Sequence, residues 1–132
     1  MQESVANQIQ KEIQDIFIWT SDREKDPWGE HWDDRSDDYL DGRLDILRDD
    51  CDTCAITKAG VANKKYGIPA TLIQLCKVVT ERGTHHLVCV VGGWVLDNRY
   101  PWVYRIGEKG YEWRNHCYYA NLSQWYKTVL VP

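Results

Sequence analysis

The chain has 132 residues, a formal net charge of −4 and 43% hydrophobic residues. That length predicts a single domain over residues 1–132, able to bury one real core. The acidic residues gather between Asp33 and Asp52 and no Lys/Arg stripe is present, which excludes a nucleic-acid footprint; no apolar run approaches the ~20 residues of a membrane span.

The opening MQESVANQIQKEIQ is polar and lacks the apolar centre of a signal peptide. The chain is therefore expected to be made in the cytoplasm, with lysis or a holin as a route out. Val5, Ile9, Ile13, Ile16 and Phe17 recur at helical spacing and predict a first helix over residues 3–19. The stretch TSDREKDPWGEHWDDRSDD is polar and turn-rich, with Trp28 and Trp32 as its expected anchors. In DYLDGRLDILRDD, Leu40, Leu44 and Leu47 predict a short helix interrupted near Gly42.

A second helix is expected from Cys51 to about Tyr66, capped by Asp49 or Asp50 and stopped by Gly67 and Pro69. Its small residues, including Cys54, Ala55, Ala59 and Ala62, suit close packing on a sheet. ATLIQLCKVVT, 70–80, reads as a strand, ERG as a turn and HHLVCVV as the next strand. Gly92-Gly93 signals a two-residue hairpin and WVLDN its return strand. VYRI after Pro101 suggests another short strand, and the aromatic tail from Tyr111 carries no clear pattern. Helices followed by an antiparallel sheet give the class α+β.

The hairpin separates the two adjacent histidines. With Gly92-Gly93 as the turn, Val91 faces Trp94 and Val90 faces Val95. Alternation then puts His86, Val88, Val90, Val95 and Asp97 on one face. His85 falls on the other, with Leu87, Cys89, Leu96 and Asn98. His86 and Asp97 become diagonal cross-strand neighbours, and an Asp that orients an imidazole is half of a catalytic triad. His85 with Asn98 is the fallback, reached by a one-residue register slip.

Five cysteines, odd in number and irregularly spaced, argue for free thiols rather than a disulfide framework. Cys51 stands at a helix start, where the dipole favours a thiolate, although Asp49, Asp50 and Asp52 oppose it. It is the candidate nucleophile, with His86 supplying an ion pair. Cys76, Cys89 and Cys117 read as buried apolar residues. Cys51-x-x-Cys54 also permits zinc, completed by His85 and His86 or by His116 and Cys117, or a redox pair.

These words also occur together. DDYLDGRLDILRDDCDTCAITKAGVANKKYGIPA and HHLVCVVGGWVLDN resemble the bacterial transglutaminase-like cysteine proteinases over about residues 28–100. The matching positions are Asp38-Tyr39, Asp50-Cys51-Asp52, Ala55, Gly67-Ile68-Pro69, His86 and Leu96-Asp97-Asn98. The resemblance implies a papain/transglutaminase-like fold with the nucleophile helix packed on an antiparallel sheet. It implies Cys51 as nucleophile, His86 as general base and Asp97 as orienting residue. Asp49 stands where the family has Gly, and Thr53-Cys54 where it has Asp-Tyr. Some members bind calcium through acidic residues beside the nucleophile, and Asp50 and Asp52 fit those positions. No cofactor is expected to be required, calcium being the one metal implied.

The expected activity is a cysteine hydrolase acting on a peptide or amide bond through a thioester. Small leaderless relatives in phage genomes make a peptidoglycan stem-peptide endopeptidase, an endolysin-like role, the most specific expectation. The 7 Trp and 8 Tyr could line a polymer groove. A protein-cleaving peptidase and a non-catalytic binding relative are the alternatives. The expected partners are a peptide or peptidoglycan substrate, with no nucleic acid and no membrane, and a monomeric state.

Overall fold

The computed structural model describes residues 1–20 and 33–130. Trp28 and Trp32 lie outside the described residues.

Helix α1 spans Glu3–Gln14 and buries Ala6, Ile9, Gln10 and Ile13, one face at helical spacing. It is shorter than the predicted 3–19. Phe17–Trp19 forms strand β1 instead, paired in parallel with β2, Leu47–Asp49. The aromatic and β-branched run FIW finds a strand partner that periodicity within α1 could not reveal. Helix α2, Ser36–Leu40, ends just before Gly42, whose φ of +73° suits glycine. Leu47 thus belongs to β2 and not to the short helix.

Helix α3 runs Cys51–Lys64. The Asp50 side chain accepts from the Thr53 N–H at its start. At its end Gly67 takes a φ of +70° and the Ile68 N–H returns to the Ala62 carbonyl. Every residue from Asp52 to Ala62 is buried, so α3 is the central element. The sheet covers one side; α1 and α2 pack on others. This is why the helix is built of Ala, Gly, Thr and Cys. At Gly60 a side chain would meet the Ser36 hydroxyl and Cβ, so glycine is what lets α2 close.

After a 3₁₀ turn at Ala70–Leu72 come β3 (Ile73–Val79), β4 (His85–Val91), β5 (Trp94–Leu96) and β6 (Tyr104–Arg105). Then follow β7 (Glu112–Tyr118) and β8 (Asn121–Lys127). The six strands form one antiparallel sheet in the order β6-β5-β4-β3-β7-β8. The class is α+β, as expected. Gly92 and Gly93 both have positive φ, and the register is the predicted one: Val91 opposite Trp94, Val90 opposite Val95. The return strand stops at Leu96, short of the predicted Asn98. The tail completes the sheet: β7 pairs with β3 and β8 with β7.

The sheet has two apolar faces. Leu75, Leu87, Cys89, Val91, Leu96 and Cys117 join α1 and α3 in the main core. Cys76, Val78, Val88, Val90 and Val95 form a second cluster with Tyr104, Tyr111 and Trp113. No helix among the described residues is long and apolar enough to cross a membrane.

Candidate active site

The early end of β5 creates the site. In a two-residue hairpin the residues flanking the turn form a hydrogen-bonded pair, and such pairs recur at every second position. Val91, Cys89 and Leu87 therefore point their amides toward the β5 side. Since β5 stops opposite Cys89, the Leu87 N–H faces a gap. The start of α3 enters there, near enough for the Leu87 N–H to favour the Cys51 thiolate. A helix on one face of the sheet thus brings its first residue to the strand position next to His86.

His86 and Asp97 are both buried, and His86 Nε2 lies 2.6 Å from Asp97 Oδ1. His85 is exposed, so the acidic partner goes to His86, on the face derived from the hairpin. Asn98 does not take the fallback role: its buried side-chain oxygen has no hydrogen-bond donor. Because the carboxylate accepts from Nε2–H, the unprotonated nitrogen of neutral His86 is Nδ1. That is the atom left for a proton from a thiol.

Asp97 is held on all sides. Its Oδ1 also accepts from the Arg99 N–H at 3.0 Å. Its Oδ2 accepts from the Tyr104 hydroxyl at 2.8 Å and the Tyr111 hydroxyl at 2.7 Å. Burial alone would raise its pKa; the bonds and charge from His86, then those from Arg99 and Tyr111, outweigh it and keep the carboxyl well below the usual range. Burial and the neighbouring carboxylate push both tyrosines well above their ordinary value, so they stay donors.

The backbone around Asp97 is clamped from the opposite face. Gln10 Nε2 donates to the carbonyls of Asp97 (2.8 Å) and Tyr100 (2.7 Å), and Gln14 Nε2 to that of Asn98 (2.8 Å). The fully buried Lys58 ammonium donates to Gln14 Oε1 at 3.0 Å. Helix α1 is thereby a fixture for the 97–100 turn. Tyr111 in turn accepts from Arg99 Nη1 at 3.0 Å, and Arg99 forms a two-pronged pair with Glu81.

The pairing of His86 with Asp97 follows the face read from the hairpin, whereas Tyr104, Tyr111, Gln10 and Lys58 around it are not among the sequence expectations. Tyr104 was within reach: it pairs opposite Val95 and so shares the face of Asp97. For Tyr111 and Gln10, which approach from distant segments, no local signal exists.

Cys51 departs from expectation. Its thiol is half-buried and donates to Asp52 Oδ1 at 3.5 Å; no hydrogen bond joins it to His86. Burial raises its pKa well above the ordinary value, and Asp52 and Asp50 add to this against the opposing Leu87 N–H. The helix dipole does not win here, because its anion site is filled by side chains of the same sign. Cys51 rests as a thiol and not as a pre-formed ion pair. Among the five cysteines it is the one not buried. Iodoacetamide on the native protein is expected to mark Cys51 ahead of the other four, with a rate that climbs steadily as the pH is raised from 6 to 9. A rate already at its plateau at pH 6 would mean that an ion pair forms.

The sequence implied calcium at Asp50 and Asp52. Asp50 caps α3, and Asp52 is buried and accepts from the thiol. Among the described residues no three His, Cys, Asp or Glu side chains come together as a metal site, for calcium or for zinc. A cavity of 680 Å³, lined by Met1, Leu72, Val91 and Tyr118 among others, opens at the far end of β4; Cys51, His86 and Asp97 do not line it.

With this geometry, the architecture matches solved structures. LapG from Legionella pneumophila, calcium-bound, superposes with a TM-score of 0.66 at 17% identity, over 93% of this chain and 68% of that one. Another LapG structure gives 0.66 at 15% identity over the same shares. EGTA-treated LapG gives 0.67 at 14% identity over 92% and 64%. The fold is transglutaminase-like. At such identities the likeness speaks for the fold alone. No protein-family profile and no curated protein sequence matches the chain.

The transglutaminase-like fold gives the arrangement its logic. The central helix delivers a cysteine to the edge of a strand that carries a histidine, and the residue just past the next strand is the histidine's acidic partner.

Proposed function

We propose that the chain is a cysteine hydrolase cleaving a peptide or amide bond. The observation that carries this is the buried His86–Asp97 pair, 2.6 Å apart, beside the strand position that receives the Cys51 thiol. The Nε2–H of a buried imidazole needs one acceptor to be satisfied. Here its acid has in addition two tyrosines and a backbone amide, an investment suited to holding an imidazolium.

In this reading His86 Nδ1 takes the Cys51 proton as sulfur attacks the carbonyl carbon, which suits a nucleophile that rests as a thiol. Asp97 stabilises the imidazolium formed. The Cys51 N–H, free of the helix ladder at the first position of α3, faces the developing oxyanion. The amine leaves with the proton from His86, and water, deprotonated by the same nitrogen, hydrolyses the thioester. An amine in place of water would make the reaction a transamidation.

The favoured substrate is the stem peptide of peptidoglycan, in an endolysin-like role after release from the cell. A protein substrate is the second reading, favoured by the fold's likeness to LapG, a transglutaminase-like cysteine protease. The test is digestion of purified Gram-negative peptidoglycan by wild type, Cys51→Ala, His86→Ala and His85→Ala, with products read by mass spectrometry. Cleavage by wild type and His85→Ala, lost in the other two, is expected, and the fragment masses name the bond. Cleavage that survives Cys51→Ala would sink the hydrolase mechanism. No cleavage by any protein, with Cys51 still alkylated first, would move the substrate to protein.

A further inference from the structure

Cys54 has no part in the chemistry above, yet it is placed against the residue that does. It lies three residues after Cys51, so the two side chains project from the same face of α3 on consecutive turns. That spacing gives a Cα separation within the range a disulfide spans. Cys51 is the first helical residue and its N–H lies outside the helix ladder. The pair is also graded in access: Cys51 meets solvent and Cys54 is 1% exposed.

A second observation concerns Lys58. It is fully buried, four residues after Cys54, with its ammonium near enough to favour the Cys54 thiolate. Burial raises the pKa of the Cys54 thiol, and Lys58 is the group that pulls the other way. The same ammonium also donates to Gln14 Oε1 in the clamp on the 97–100 turn, so one buried cation serves both the turn and the Cys54 thiol.

We propose that Cys51 and Cys54 form a reversible disulfide that closes the site under peroxide. The Cys51 thiolate attacks one oxygen of hydrogen peroxide; the O–O bond breaks, hydroxide leaves and Cys51 becomes a sulfenic acid. The Cys54 thiolate, supported by Lys58, then attacks that sulfur. The S–S bond forms, the S–O bond breaks and a second hydroxide leaves; each of the two hydroxides takes up one of the two thiol protons and becomes water. Peroxide is reduced by two electrons to two waters. A dithiol reverses the step by exchange. Only the consequence for activity rests on Cys51 being the nucleophile; the bond itself does not.

The experiment treats the native protein with equimolar hydrogen peroxide at pH 8, where more of the Cys51 thiol is ionised. Remaining thiols are blocked and the linked peptides mapped by mass spectrometry. The expected product has lost two hydrogens, carries a Cys51–Cys54 link and no longer labels at Cys51 until dithiothreitol is added. Cys54→Ala, a small and apolar replacement, should instead progress to irreversible sulfinic acid at Cys51. Oxidised Cys51 with Cys54 still free in wild type would overturn the proposal, as would a link from Cys54 to Cys89. A mapped disulfide in a protein that cleaves nothing when reduced would leave the redox device standing and remove the hydrolase reading.

Discussion

Asp97→Asn is expected to lower turnover by roughly a thousand- to ten-thousand-fold while the protein stays folded. The carboxylate now receives four donors: His86 Nε2–H, the Arg99 amide and the hydroxyls of Tyr104 and Tyr111. Asparagine has one acceptor oxygen. If that oxygen turns to the tyrosines, its NH₂ faces Nε2 and places the imidazole proton on Nδ1, where a base is needed. If it turns to His86, the NH₂ faces two hydroxyls that must rotate to accept. Asp97→Ala removes the charge altogether and should also cost about 3–5 kcal/mol of stability, because the donors stay buried without partners. Tyr111→Phe should be milder, since Tyr104 and Arg99 remain; its loss should fall on kcat more than on KM.

The depressed pKa of Asp97 gives this site an acid limit. A carboxyl held below its unfolded value stabilises the fold at pH above about 4 and loses that contribution as the pH falls further. In Asp97→Asn the urea midpoint should therefore change less between pH 6 and pH 3 than in wild type. An unchanged slope would mean that the carboxylate is not held by the bonds seen here.

Much of this arrangement can be read from local pattern. Alternation and a Gly-Gly turn place His86 with Asp97, because side-chain faces in a hairpin follow from the turn alone. Asp50, Gly67 and Pro69 bound α3 because capping depends on chemistry within a few residues. What escapes is decided by approach from afar. Tyr111 reaches Asp97 from the connection into β7, a strand that enters the sheet on the far side of β3. Gln10 looks like a polar break in the apolar face of α1, and its reason lies 87 residues away at the Asp97 carbonyl. Lys58 reads as a surface lysine until the helix proves to be enclosed. The Cys51 thiol has a pKa above what a helix start alone suggests, for a related reason. Its position at a helix start is local information, whereas the burial that raises its pKa comes from the sheet and the chain packed around it.

Gly60→Ala is expected to destabilise the protein by about 3 kcal/mol, at the upper end of overpacking costs. For a chain of this size that lowers the melting temperature by on the order of 10 °C. A Cβ at Gly60 would lie 2.1 Å from the Ser36 Oγ, 2.5 Å from its Cβ and 2.8 Å from Asp34 Oδ1. The hydroxyl could rotate away, but the Ser36 Cβ is fixed to the α2 backbone, so α2 must move off α3. That displacement would disturb the bonds made there: Arg35 N–H to Thr57 Oγ1 at 3.1 Å and Lys64 Nζ to Ser36 Oγ at 2.9 Å. Ser36→Gly removes both clashing atoms, leaving Asp34, which can turn. The double variant should thus be more stable than Gly60→Ala alone, a coupling of opposite sign to the two single losses. Thermal melts of the four proteins measure it. Additive losses would show that α2 and α3 do not meet at this glycine, and the enclosure that buries α3 on every side would have to be redrawn.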